Sequence, residues 1–188
     1  RNTTKIINSN PLRNFIRLCL KNTPQQTTIL LFFSCYFINN MTFKQFLEQP
    51  YDSCRSILSL GYPRAGKTFN MIHCLMYWLQ TETFSEVHLI LPVYKYEQNN
   101  TYAFLEKYKG KTKIFIYNGY HEMLAQKLLE QQKKKNSKPI FLGIDDSTHQ
   151  KSNLMKSEVL TEIATTSRHL KIHTWLIMHY NKGIIPPN

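Results

Sequence analysis

From Arg55 onward, short apolar runs alternate with longer segments of helical spacing. Ser56-Ile57-Leu58-Ser59-Leu60 has the look of a buried strand and stops at Gly61. Phe69 to Leu79 is almost continuously apolar and holds no Gly or Pro, which predicts a helix packed against a sheet. A second strand is predicted at Glu86–Leu91, ended by Pro92. Asn99 to Tyr108 predicts a helix with Tyr102, Phe104 and Leu105 on its apolar side. The β-branched and aromatic run Lys113–Tyr117 predicts a third strand, and Tyr120–Gln132 a helix carrying Met123, Leu124, Leu128 and Leu129. Pro139 leads into a fourth strand, Ile140–Ile144. A helix around Asn153–Ser167 and a strand at Thr174–Met178 follow. Such alternation predicts an α/β domain with a mostly parallel sheet covered by helices on both faces.

The pattern fails before Met41. Residues 1–40 show no clear period and hold five basic residues (Arg1, Lys5, Arg13, Arg17, Lys21) with no Asp or Glu. The expected organisation is an extension over residues 1–40, either non-native or disordered, ahead of a domain over residues 41–188 that begins at Met41. An acid-free, Arg-containing segment also resembles an organelle transit peptide, although no initiating Met anchors that reading. The apolar run Ile29 to Ile38 is interrupted by Ser34 and Cys35 and falls short of the ~20 residues that span a bilayer. A soluble, intracellular protein with no membrane partner is expected.

Charge narrows the choice of partner. The chain has 24 basic and 12 acidic side chains, a net charge of +12, which favours a polyanion. Removing the five basic residues of 1–40 leaves 19 against 12, so the excess persists in the domain. Its densest part, Gln131-Gln132-Lys133-Lys134-Lys135-Asn136-Ser137-Lys138, reads either as a solvated helix end and loop or as a contact for DNA. Cys19, Cys35, Cys54 and Cys74 have no C-x-x-C spacing and no matching His cluster. Reduced thiols are expected, not a disulfide frame or a zinc site.

The candidate chemistry starts where the first strand ends. Gly61-Tyr62-Pro63-Arg64-Ala65-Gly66-Lys67-Thr68 is a complete G-x-x-x-x-G-K-[ST] sequence, between a predicted strand and a predicted helix. The glycines let successive backbone N–H groups turn inward onto a polyphosphate. Lys67 can reach the β- and γ-phosphates of ATP, and the Thr68 hydroxyl can sit on Mg²⁺. Phe69, the next residue, joins the expected cofactor-binding set. In a parallel sheet the carboxyl ends of the strands share one edge with this loop. Asp145, at the end of the apolar strand Ile140–Ile144, is therefore expected beside Thr68 as a Mg²⁺ ligand, with Asp146 orienting or deprotonating an attacking water. The bland alternative is that Asp-Asp-Ser opens a loop and caps a helix.

Further along, Arg168 is a candidate arginine finger, in its own subunit or across an interface, or else the partner of Glu162 or Glu158. His179 or Asn181, at the end of the last strand, is a candidate γ-phosphate sensor. His73, His88 and His121 are expected at the core edge or surface, not as ligands.

Together, the Gly-x-Pro-x-x-Gly-Lys-Thr loop, the strand ending Asp145-Asp146, Arg168-His169-Leu170 and the closing Ile185-Pro186-Pro187 resemble the viral DNA-packaging ATPases of the FtsK–HerA superfamily. That family occurs in poxviruses, other large DNA viruses, virophages and related transposons. The resemblance runs from about Met41 to Asn188. It implies a P-loop NTPase three-layer sandwich of the additional-strand type, forming a ring, expected to be a hexamer. It also implies a motor that drives double-stranded DNA into a capsid, with capsid protein as a further partner. The family places Gln where His179-Tyr180-Asn181 stands here, and continues past the Pro-Pro with an Arg and another strand. A domain lacking its C-terminal strand is therefore expected. Two other functions fit the loop: a nucleotide or nucleoside kinase, and an assembly module that binds nucleotide without turnover.

Overall fold

The computed structural model describes residues 29–33, 55–92, 100–146 and 151–179, with backbone alone for 29–33, 151 and 152. Six strands and four α-helices follow in chain order: β1 (Ile29–Phe33), β2 (Ser56–Gly61), α1 (Lys67–Gln80), β3 (Glu86–Leu91), β4 (Lys113–Asn118), α2 (Glu122–Gln132), β5 (Ile140–Ile144), α3 (Lys151–Lys156), α4 (Glu158–Leu170) and β6 (Ile172–His179). The strands form one sheet in the order β1-β2-β6-β5-β3-β4. β2 to β4 are parallel throughout, and β1 pairs antiparallel with the outer side of β2.

Strands covered on both faces tend to be apolar along their length, as β5 is; β2 and β3 are buried almost throughout while carrying Ser56, Ser59 and His88 in the interior. Successive side chains point to opposite faces, so each strand feeds two cores. Val87, Leu89, Phe141, Trp175 and Ile177 pack with α1, through Met71, Cys74, Leu75 and Trp78. Ile90, Ile140, Leu142, Ile144 and Ile172 pack on the other side with α2 and α4, through Ala125, Leu128, Leu129, Leu160 and Ile163. The result is three layers, with the sheet in the middle. Cys74 is a free thiol buried in the first core, and burial pushes its pKa up to about 12. His173 lies among Trp78, Phe84 and Phe141, where burial, and then the charge of Arg55, hold its pKa down to about 3. It sits there as a neutral aromatic spacer. No helix among the described residues is long and apolar enough to cross a membrane.

Most predicted elements stand within two residues of their expected ends; three differ in kind. The helix expected over Asn99–Tyr108 is a 3-10 helix over Ala103–Tyr108. A three-residue turn eclipses positions i and i+3, which puts Tyr102 and Leu105 on one side, and both are fully buried. The helix expected as one piece around Asn153–Ser167 breaks at Ser157, whose hydroxyl accepts from the Leu160 N–H and caps α4. Within residues 1–40, Ile29–Phe33 pairs with β2 as an edge strand, register Ile29 to Leu60 through Phe33 to Ser56. The rest of that segment lies outside the described residues.

α1 can approach the sheet because β5 carries Gly143 at the crossing point. A Cβ there would stand 2.7 Å from Leu89 Cδ2 and 2.8 Å from Phe141 Cε1, with Met71 Sδ of α1 at 3.4 Å. Neither the central strand nor the aromatic ring can give way cheaply. Gly143→Ala should therefore destabilise the fold by about 1–3 kcal/mol. Urea denaturation checks this, and an unchanged midpoint would show that the layers are looser than these contacts require.

Candidate nucleotide-binding site

β2 ends at Gly61, and residues 62–66 turn the chain into α1. The turn needs two left-handed residues, Arg64 at φ 65° and Gly66 at φ 77°. Gly66 is the N-cap of α1; no side chain caps the helix there, and its first turn holds no acid. The N-terminus of a 14-residue helix thus opens towards the loop with no acid of its own in the first turn. Lys67 is 3% exposed, and its Nζ donates back into the loop, to the carbonyls of Gly61 at 2.9 Å and Tyr62 at 2.6 Å. Tyr62, Pro63, Arg64 and Phe69 are exposed around the loop, and Ala65 is half-buried. The Phe69 ring packs 4.1 Å from that of His73.

Thr68, one residue further, points across the sheet edge. Its hydroxyl donates to Asp145, 3.1 Å from Oδ1 and 3.2 Å from Oδ2. Asp145 follows the last residue of β5, two strands away from β2 with β6 between them. Its backbone N–H donates to the Ile90 carbonyl at 2.9 Å, and its side chain is fully buried. A buried carboxylate is costly unless hydrogen-bonded. The second donor is Tyr102, whose hydroxyl lies 2.7 Å from Asp145 Oδ2. Burial raises the Tyr102 pKa well above its ordinary value, and the charges of Asp145 and Asp146 raise it further, so this phenol stays protonated and donating.

Asp146 is half-buried and holds a left-handed backbone at φ 53°. Asp adopts that region at a cost of about 1 kcal/mol, and such strain gathers at functional sites. The conformation turns its carboxylate onto the end of β6, where His179 Nε2 lies 3.1 Å from Oδ1. His179 is the register partner of Gly61, so it stands beside the first residue of the loop. Lys67, Thr68, Asp145, Asp146 and His179 therefore converge at one edge.

Arg168 does not join them. It is exposed in the last turn of α4, a helix that runs back to the amino edge of the sheet before β6 begins. A six-residue strand separates it from the loop, ~20 Å at 3.3 Å per residue. This placement sets it at the other edge of the sheet from the loop of its own chain. Nor does it pair with Glu162, which instead holds Lys133 at 2.8 Å. His73 and His121 are exposed. His88 is a core-edge side chain set between Glu86 and the Tyr117 hydroxyl, at 3.2 and 3.1 Å. Asn181 and the closing Pro-Pro lie outside the described residues.

Two features escaped the reading of the sequence. Tyr102 had been assigned only an apolar position, since nothing local marks it as the partner of an acid 43 residues away. The Asp146–His179 contact likewise depends on β6 being inserted next to β2.

Thr68 and Asp145 offer a hydroxyl and a carboxylate oxygen, the hard donors that Mg²⁺ takes. Among the described residues no group of three or more His, Cys, Asp or Glu is placed to hold a metal. Comparison with protein-family models, curated proteins and solved structures returns no match.

Tyr102→Phe should leave Asp145 short of one donor while keeping the ring's packing. A loss of about 1–3 kcal/mol in unfolding free energy is expected. Thermal and denaturant unfolding measure it, and a neutral result would mean that the carboxylate is satisfied without the phenol.

Proposed function

We propose that this chain is a Mg²⁺-dependent ATPase that drives double-stranded DNA, as one subunit of a ring, and that it packages a viral genome into a capsid. The observation that carries the hydrolytic part is the Thr68–Asp145 hydrogen bond, which joins the phosphate loop to the acid-bearing strand. β6 lies between β2 and β5, the strand insertion expected of the additional-strand type of P-loop fold. The DNA part rests on the Arg168-His169-Leu170 and Pro186-Pro187 motifs and on the net charge of +12.

The residues divide the work by position. The backbone of Gly61 to Thr68 and the open N-terminus of α1 take the phosphates. Lys67 exchanges its neutral carbonyl acceptors for phosphate oxygens, which are charged and so bind an ammonium about twice as strongly. Thr68 and Asp145 would hold Mg²⁺, which when bound neutralises charge on the β- and γ-phosphates. Asp146 takes a proton from water as the water oxygen attacks the γ-phosphorus. The bond to the bridging oxygen then breaks, releasing ADP and phosphate. The His179 contact fixes the direction in which the Asp146 carboxylate points.

The test is phosphate release from ATP, with and without linear duplex DNA. Lys67→Ala should lower kcat by about 10²–10³-fold through the lost charge stabilisation. Asp146→Asn should retain ATP binding and lose about 10²–10⁴-fold in turnover. Wild-type turnover in Lys67→Ala would remove the site. Retained hydrolysis in Asp146→Asn would remove only the base. Phosphate transferred to an added nucleoside monophosphate, with no release to water, would identify a kinase.

A further inference from the structure

The opposite edge of the sheet, where the strands begin, is basic across its width. Arg55 precedes β2, Lys171 precedes β6, Lys138 stands two residues before β5, and Lys113 opens β4. Between the β3–β4 end and the tail of α2 lies a recess of about 510 Å³, lined by Lys111, Lys113, Lys134, Lys135 and Lys138. All five are exposed. Its one acid, Glu86, is already engaged by Lys113 at 3.5 Å, His88 at 3.2 Å and Gln131 at 3.2 Å. The other lining residues are amides and hydroxyls, with no apolar side chain among them. Towards β2 the excess continues: Arg55 and Arg168 face each other, and among the described residues Arg55 Nη1 is buried with no hydrogen-bond partner.

Like charges gathered on one edge repel unless something anionic lies across them. The band crosses the sheet from β2 to β4, four inter-strand steps of ~4.8 Å, or ~19 Å. A small anion would need a single focus. A row of this length instead matches five or six phosphates of one DNA strand, spaced ~3.4 Å along the helix axis. A recess without apolar side chains suits a convex polyanion and gives a bilayer nothing to bury.

We propose that this amino-edge band receives the sugar-phosphate backbone of duplex DNA, with the lysines of the recess as its main phosphate contacts. The proposal rests on the DNA-translocating reading above and adds where the duplex lies: a strand's length from the nucleotide site, so that DNA and ATP do not compete.

The experiment measures anisotropy of a labelled duplex bound to the full chain, between roughly 50 and 200 mM salt. K111Q/K134Q/K135Q/K138Q is compared with wild type, and ATP binding is followed in parallel. Four lost contacts should lower the slope of log affinity against log salt by about 3.6, at ~0.9 per phosphate. ATP affinity should not change. Should the fourfold variant fold poorly, K134Q/K135Q should show about half that change. DNA binding with a wild-type slope in the variants would overturn the surface and leave the DNA reading standing. A wild-type chain that hydrolyses ATP but binds no duplex would overturn both the surface and the DNA reading. Lysine-dependent binding to phosphatidylserine vesicles in place of DNA would overturn the proposal in favour of a membrane.

Discussion

The Asp145 carboxylate ties the candidate site together. It is fully buried at the end of a central strand, where an uncompensated charge would cost several kcal/mol. Three elements meet to satisfy it. Thr68 comes from the first turn of α1, Tyr102 from the crossover between β3 and β4, and the Ile90 carbonyl fixes its backbone from the neighbouring strand. The requirement runs both ways: satisfying the acid fixes where α1 starts, and with it the direction of the phosphate loop. Gly143, two residues earlier on β5, lets the same helix lie close to the sheet. A polar constraint at one end of α1 and a steric one along its length thus orient a single helix.

How much of this could be read from the chain depended on how local each signal was. The loop Gly61–Thr68 and the acids after Ile144 were legible because each is a contiguous string with a strand beside it. The two-core character of the sheet was legible as well, since parallel strands covered on both faces read as largely apolar runs without a polar alternation. Strand order was not. That β6 inserts between β2 and β5 follows from how α4 crosses over, and no spacing in the chain records it. His179 was named as a sensor from its place at a strand end, but its contact with Asp146 follows from that insertion. The Ser157 break could have been seen: a Ser followed by Glu158 is an N-cap with an acid in the first turn. The uninterrupted helical period on either side masked it.

Arg168 shows the limit of motif reading in the opposite sense. Its place before the last strand fits a resemblance in sequence, yet helices in an α/β sheet run antiparallel to the strands. A residue in the last turn of α4 must then emerge at the amino edge. Topology alone puts it away from the phosphates of its own chain. The same rule gathers Lys138, Lys171 and the tail of α2 there. The two edges of the sheet consequently differ in balance: Asp145 and Asp146 gather at one, while at the other the exposed lysines outnumber the acids Glu82 and Glu86.

That difference bears on the metal. Asp145 and Asp146 are adjacent acids beside the loop, and Lys67 is the buried cation within it. A polyphosphate brought into this space adds negative charge next to two carboxylates, and one ammonium does not offset it. Like charges this close either shift towards protonation or require a counter-charge. On the proposed reading, a divalent cation held by Asp145 and Thr68 would supply that counter-charge when the nucleotide binds. If that reading holds, ATP should bind weakly without Mg²⁺, and removing the Asp145 carboxylate should weaken binding of the metal complex more than binding of free ATP.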